Sequence, residues 1–346
     1  MKKTLPALLC FACAMAAKAQ VVTYSEIVGF ERLTVGGNGG SGNSQLTFSG
    51  LPLVPATEAS GLATSASGTT VTSSAAIWTD DQFNGAAGSH YLEVAAINGS
   101  TTAAGVGTIY NITDTAAPGT VTLASSLAAG VTAPFRFIIR KHWTLARVFG
   151  ATNSVGLQGG TATSADQIHV WNNTGYDVYY YQTAGIGGTG WRKAGSPSVD
   201  ASQTVIDPAR CMVVKRAQSD SISLTVTGVV KPGLTTRTIV PGHNFVPNPS
   251  AIEMTLSSCG LYTGNNSTGI AGGSSTSADQ VLIWNGSGYD TYYYQTEGIG
   301  GTGWRKTGDQ STNAAATVIA AGSGFIVRRL NPGSFTWVIP QHPASF

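Results

Sequence analysis

The chain has 346 residues, 19 Lys+Arg against 17 Asp+Glu, and only 10% charged residues. Its formal charge of +2 depends on Lys2, Lys3 and Lys18. Without the first nineteen residues, 16 basic side chains face 17 acidic ones. That balance gives no electrostatic case for nucleic acid or an acidic membrane as partner, despite a pI near 8.3.

Residues 1–19 read as an export signal. Lys2 and Lys3 form a positive head, Leu5 to Ala17 an apolar stretch too short for a stable membrane span, and Ala17-Lys18-Ala19 a small-x-small cleavage pattern. Cys10 and Cys13 fall inside this segment. No later apolar run approaches the length of a transmembrane helix. The expected localisation is periplasmic, cell-surface or secreted.

Residues 20–141 predict an N-terminal β domain. Short β-branched runs alternate with Gly/Ser/Asn/Pro clusters, among them Val21 to Tyr24, Thr69 to Thr72 and Thr108 to Ile112. His90 to Val94 alternates as a half-buried strand does, Asn98-Gly99 marks a turn, and Phe135 to Lys141 closes the domain. Asp80, Asp81 and Asn84 form an acidic turn without EF-hand spacing.

The most informative stretch occurs twice. Residues 163–193 and 276–306 are identical at 24 of 31 positions, with a constant offset of 113. They predict a first module over 142–230 and a second over 251–346, joined by a Pro-rich connection at 231–250. In each copy a strand ending in Trp-Asn (Trp171, Trp284) turns into a Tyr-rich strand (Tyr176 to Gln182, Tyr289 to Gln295). GIGGTG follows, and then Trp-Arg-Lys. Tyr179 and Tyr181, with Tyr292 and Tyr294, share one strand face. The opposite face also carries aromatics and is expected to be partly exposed. Trp143 to Phe149 and Ile252 to Ser257 read as short helices or strands. The predicted fold is all-β: tandem small antiparallel sandwich or barrel modules, here three in series, the last two being close repeats.

Three chemical readings attach to the repeat. The glycines Gly185/Gly187/Gly190 and Gly298/Gly300/Gly303 match G-x-G-x-x-G. No helical pattern follows either set, so no nucleotide is expected. Asp166 and Asp279 occupy equivalent positions in two pseudo-symmetric halves, as in aspartic peptidases. The Asp-Thr/Ser-Gly turn of those enzymes is missing, and an Asp at a strand start commonly anchors a turn. Finally, Trp171, Tyr179, Tyr181 and Trp191, with Trp284, Tyr292, Tyr294 and Trp304, would make two aromatic platforms for a glycan, with avidity from duplication. The alternative is that these rings are core. Cys211 and Cys259 are either a disulfide tying the modules together or two separately buried thiols. The five histidines show no metal-ligand spacing, and no G-x-S-x-G elbow occurs. No metal or cofactor is expected.

Taken together, several motifs resemble a large paralogous family of exported, functionally unassigned Gly/Ser/Thr-rich bacterial β-proteins. They are Val28-Gly29-Phe30, the block Trp78, Phe83 and Tyr91 to Val94, Trp143 to Leu145, the repeated Tyr-Tyr-Tyr…Gly-Trp-Arg-Lys, and a closing Gly-Phe-Ile-Val-Arg-Arg at 324–329. The resemblance implies no catalytic residues. The function expected is that of an exported structural or binding protein, with a glycan or surface protein as partner and an aspartic-type peptidase as the alternative. The oligomeric state is left open.

Overall fold

The computed structural model describes residues 26–84, 89–172, 174–208 and 210–340. The expected export signal, Val21 to Tyr24, Asn173 and His342 lie outside them. Among the described residues every sheet is antiparallel, and the single α-helix, Leu145–Phe149, is five residues long. The all-β expectation is therefore met. The allotment of strands to modules is not the one the sequence suggested.

The first module is discontinuous. Its five-stranded sheet runs in the order Gly190–Lys193, Tyr176–Gln182, Gln167–Trp171, Met212–Arg216 and Gln45–Ser49. A ribbon of Val28–Val35 with Ile222–Val229 lies against it. Two of these strands thus come from far upstream. Alternation drives the packing. Leu33, Val35, Leu224 and Val226 point inward from the ribbon, and Ile168, Tyr179, Trp191 and Val214 from the sheet. Leu145 and Phe149 fill one end. Thr144 caps their helix by accepting from the Arg147 amide.

The second module repeats this plan without interruption. Gly303–Lys306, Tyr289–Gln295, Gln280–Trp284, Gly324–Arg329 and Gly242–Pro247 form its sheet, and Thr235–Ile239 pairs with Phe335–Ile339 as its ribbon. Residues 231–250 are therefore two strands of this module, not a connection. Proline is tolerated there because Gly242–Pro247 is an edge strand that Pro247 ends.

The N-terminal β domain is an insertion between Gln45–Ser49 and Trp143–Thr144 of the first module. Its seven strands run Thr57–Ala63, Phe135–Lys141, His90–Ile97, Ile109–Ala116, Thr120–Leu123, Thr70–Thr72 and Ser65–Ser67. The sheet closes on a core of Leu92, Val94, Val121, Phe135 and Phe137. It is not a third copy of the module. Buried Arg140 fastens it by donating to Glu26 at 2.9 Å and to the Pro55 carbonyl at 2.9 Å. Lys231 of the second module reaches its buried Glu93 at 2.5 Å.

The two modules meet through a reciprocal aromatic seam. Phe48 and Phe245 occupy equivalent places: one pairs with Val213, the other with Ile326, which are 113 residues apart. Their rings stack at 6.4 Å and 7°. Phe48 then packs on Trp284 (5.8 Å) and Tyr289 (5.7 Å), while Phe245 packs on Trp171 (4.9 Å) and Tyr176 (5.3 Å). Each phenylalanine thus inserts into the other module's Trp–Tyr pair, the exchange that a twofold interface requires.

Candidate functional site

Asp166 and Asp279 open the same strand in the two copies, and each is closed inside its own module. Asp166 Oδ2 accepts from the Gln158 amide (2.8 Å) and from Arg216 Nη1 (2.5 Å), and Oδ1 accepts from the Ala217 amide (3.2 Å). Asp279 repeats the set with the amides of Ala271 (2.7 Å) and Leu330 (2.6 Å) and with Arg329 Nη1 (2.6 Å). The two carboxylates are 1% and 0% exposed. Both are saturated by donors, and none of their hydrogen bonds joins one to the other. A peptidase dyad must share a proton and hold a water. Here each carboxylate is bonded to amides and an arginine of its own module and the two share no hydrogen bond, which corrects the dyad expectation. What the repeat conserves here is a buried Asp–Arg pair tying the first sheet strand to the closing one.

The aromatic platforms are also corrected. Trp191 and Trp304 are 0% and 3% exposed, and Tyr179 and Tyr292 are likewise buried in the module cores. Trp191 Nε1 donates to the Gly150 carbonyl at 2.8 Å, as a core indole should. Tyr181 lies edge-on to Trp191 and Tyr294 edge-on to Trp304, both pairs half-buried to buried. Trp171 and Trp284 belong to the seam. Among the Trp and Tyr rings of the repeated stretch, Tyr176 and Tyr289 are the most open, each 39% exposed, where the seam reaches the surface.

The glycine loop closes the Tyr180–Gln182 end of the Tyr strand's second face, a feature that periodicity alone cannot show. Gln182 Nε2 donates to the carbonyls of Ile186 (2.7 Å) and Gly188 (2.8 Å), drawing the loop back over the sheet. Arg192, 5% exposed, donates to the carbonyls of Gly187 and Gly188. Gln295 and Arg305 do the same for Ile299, Gly300 and Gly301. Tyr180 and Tyr293 are buried beneath. Gly187 and Gly300 have φ of 85° and 81°, and a Cβ there would meet backbone carbonyl oxygens at 2.5 and 2.4 Å. The loop is therefore a close-packed cover. Its carbonyls face arginine, the opposite of a phosphate cradle built from amides. It presents Ile186 and Ile299 to solvent at its tips.

Cys211 and Cys259 are free thiols, which corrects the disulfide alternative. Cys211 lies in the seam cluster with Phe48 and Phe245, whereas Cys259 lies in the second module's core. Burial pushes their thiols up to about 12 and about 11, so neither is a nucleophile near neutral pH. Among the described residues no group of three or more His, Cys, Asp or Glu side chains could hold a metal ion. No described helix is long and apolar enough to cross a membrane. No family model, curated protein or solved structure matches the chain.

Proposed function

We propose that the protein is an exported structural protein of the cell surface or extracellular space. The two repeat modules form one rigid body, and the inserted domain is carried on it. The observation that carries this reading is the use of the repeated residues. In both copies the Asp of the retained stretch goes to a buried ion pair, Gln182/Gln295 and Arg192/Arg305 to the loop cover, and Trp191/Trp304 with Tyr180/Tyr293 to the interior of the module, while Trp171 and Trp284 go to the seam. Duplication has thus preserved a building unit. The export signal at 1–19 and the hydroxyl- and amide-rich composition support the compartment.

Two measurements test the proposal. Fractionation of the native cells should place the mature protein outside the cytoplasm; retention of an uncleaved chain in the cytoplasm would overturn the compartment. A glycan array with tryptophan-fluorescence titration of the purified protein should give no saturable response. Saturable quenching that is lost when Tyr176 and Tyr289 are both changed to Ala would replace the structural reading with glycan binding at the seam.

A further inference from the structure

The inserted domain holds one constellation with the connectivity of a nucleophile, a base and an orienting acid. Ser89 Oγ lies 2.7 Å from His90 Nδ1. His90 Nε2 lies 2.9 Å from Glu58 Oε2. Glu58 Oε1 takes the Lys141 ammonium at 2.6 Å. The carboxylate can only accept, so in the neutral ring Nε2 carries the proton and Nδ1 is left as the acceptor for the serine hydroxyl. This is the protonation pattern a base-activated serine needs.

Three features fix the set in place. His90 is buried, and Phe83 packs edge-on against its ring at 5.6 Å. The Ser89 backbone is anchored by the His142 amide, which donates to its carbonyl at 2.8 Å. The register between Thr57–Ala63 and Phe135–Lys141 shifts between Thr57 and Ala59, so Glu58 sits on a bulge, a device that re-aims side chains beside functional sites. Burial alone would raise the Glu58 carboxyl, but its bonds to Lys141 and His90 outweigh this and hold it below the usual range. It therefore stays an anion able to stabilise an imidazolium. Ser89 is half-buried rather than sealed, and Glu58 and Lys141 are partly open beside it.

We infer that Ser89, His90 and Glu58 form a serine-hydrolase-type relay acting on small carboxylic esters. Ser89 Oγ bonds to the acyl carbon as its proton passes to His90 Nδ1. The C–O bond to the alcohol then breaks, and the departing oxygen takes that proton. Water, deprotonated by His90, cleaves the acyl-serine to release the acid and restore the hydroxyl. Ester and water become acid and alcohol, with no other reactant. Ser89 is the nucleophile, His90 the base and Glu58 a positioning residue.

The test is a fluorophosphonate probe on the mature protein, with the site of labelling located by mass spectrometry. Ser89 Oγ bonds to phosphorus, the P–F bond breaks, and fluoride leaves with the proton released through His90. One label per chain at Ser89 is expected, absent in Ser89→Ala. Labelling should slow by about 100-fold in His90→Ala and by at least about 10-fold in Glu58→Gln, which keeps the shape of the acid. A wild-type protein with an intact circular-dichroism spectrum and no label at Ser89 would overturn the inference without recourse to any variant. So would a labelling rate unchanged in Glu58→Gln.

Discussion

Asp166 and Asp279 show how one residue type supports opposite readings. An Asp recurring in two halves invites chemistry. A buried Asp facing a buried Arg is an element of structure whose removal leaves an uncompensated charge. Changing Asp279 to Asn should therefore destabilise the protein by about 3–5 kcal/mol, and Asp166→Asn by a similar amount, in urea unfolding. A loss below about 1 kcal/mol would refute the assignment. Both ends of each pair were visible in the sequence, since the closing strands end in basic residues at the same offset of 113. Their contact was not, because it depends on the closing strand lying directly beside the first one.

A second residue-scale effect concerns pH. His142 is buried and accepted by Asn111 at 2.9 Å, and burial pushes its pKa from 6.5 down to about 4. His169 is lowered for the same reason, burial first and then the Lys215 charge. A histidine with a depressed pKa is neutral in both states above the unfolded value. As pH falls, the unfolded chain takes up the proton first, so stability is lost on acidification from about 6.5 toward 4. Glu26 behaves differently. Burial raises it, but hydrogen bonds from Thr57 and Arg140 prevail and hold it low, so its contribution is lost only below its ordinary value of 4.5. Denaturant midpoints should thus decline between about pH 6.5 and 4.5, with a shallower slope in His142→Gln. A slope equal to wild type would contradict the assignment.

At the scale of elements, local signals were reliable and long-range partners were hidden. The Tyr strand, the hairpin after Trp-Asn and the closing strands follow from period-two alternation and turn residues, and the structure has them at Tyr176–Gln182, Tyr289–Gln295, Met212–Arg216 and Gly324–Arg329. The expectation of open platforms at Tyr179, Tyr181 and Trp191 and their repeats failed because that face packs on the module core; the opposite face is partly exposed at Tyr176 and Tyr289, and alternation cannot reveal the loop that folds back over Tyr180 and Tyr293. The upstream strands of the first module escaped notice for another reason. Val28–Val35 and Gln45–Ser49 share almost no sequence with their counterparts beyond Phe48 and Phe245.

Near the pseudo-twofold axis equivalent residues meet each other, and the chain breaks symmetry there with glycine. Gly50 faces Pro247 and Gly324 faces Cys211, so that a Cβ on either glycine would lie 2.1 Å from its counterpart's side chain. Gly324→Ala should cost about 1–3 kcal/mol by overpacking, and Cys211→Ala in the same chain should recover part of that loss. Strict additivity of the two changes in thermal unfolding would show that they do not meet. The asymmetry also bears on specificity, because two identical first or second modules would bring like against like at these points.

At the scale of the whole molecule, a discontinuous first module embraces an inserted domain and joins a continuous second module through six rings. The duplication was legible in the sequence; the insertion was not, because strand runs in a Gly/Ser/Thr-rich chain look alike whichever sheet they join. If the seam makes the repeats one body, wild-type protein should unfold with the two modules melting together. The decisive measurement is differential scanning calorimetry of Phe245→Ala beside wild type. Removing the ring costs about 3–5 kcal/mol at a site shared by both modules. The account predicts that the variant's transition moves down and splits in two, with Phe48→Ala giving the same result. A single transition in both variants, at the wild-type temperature, would contradict it.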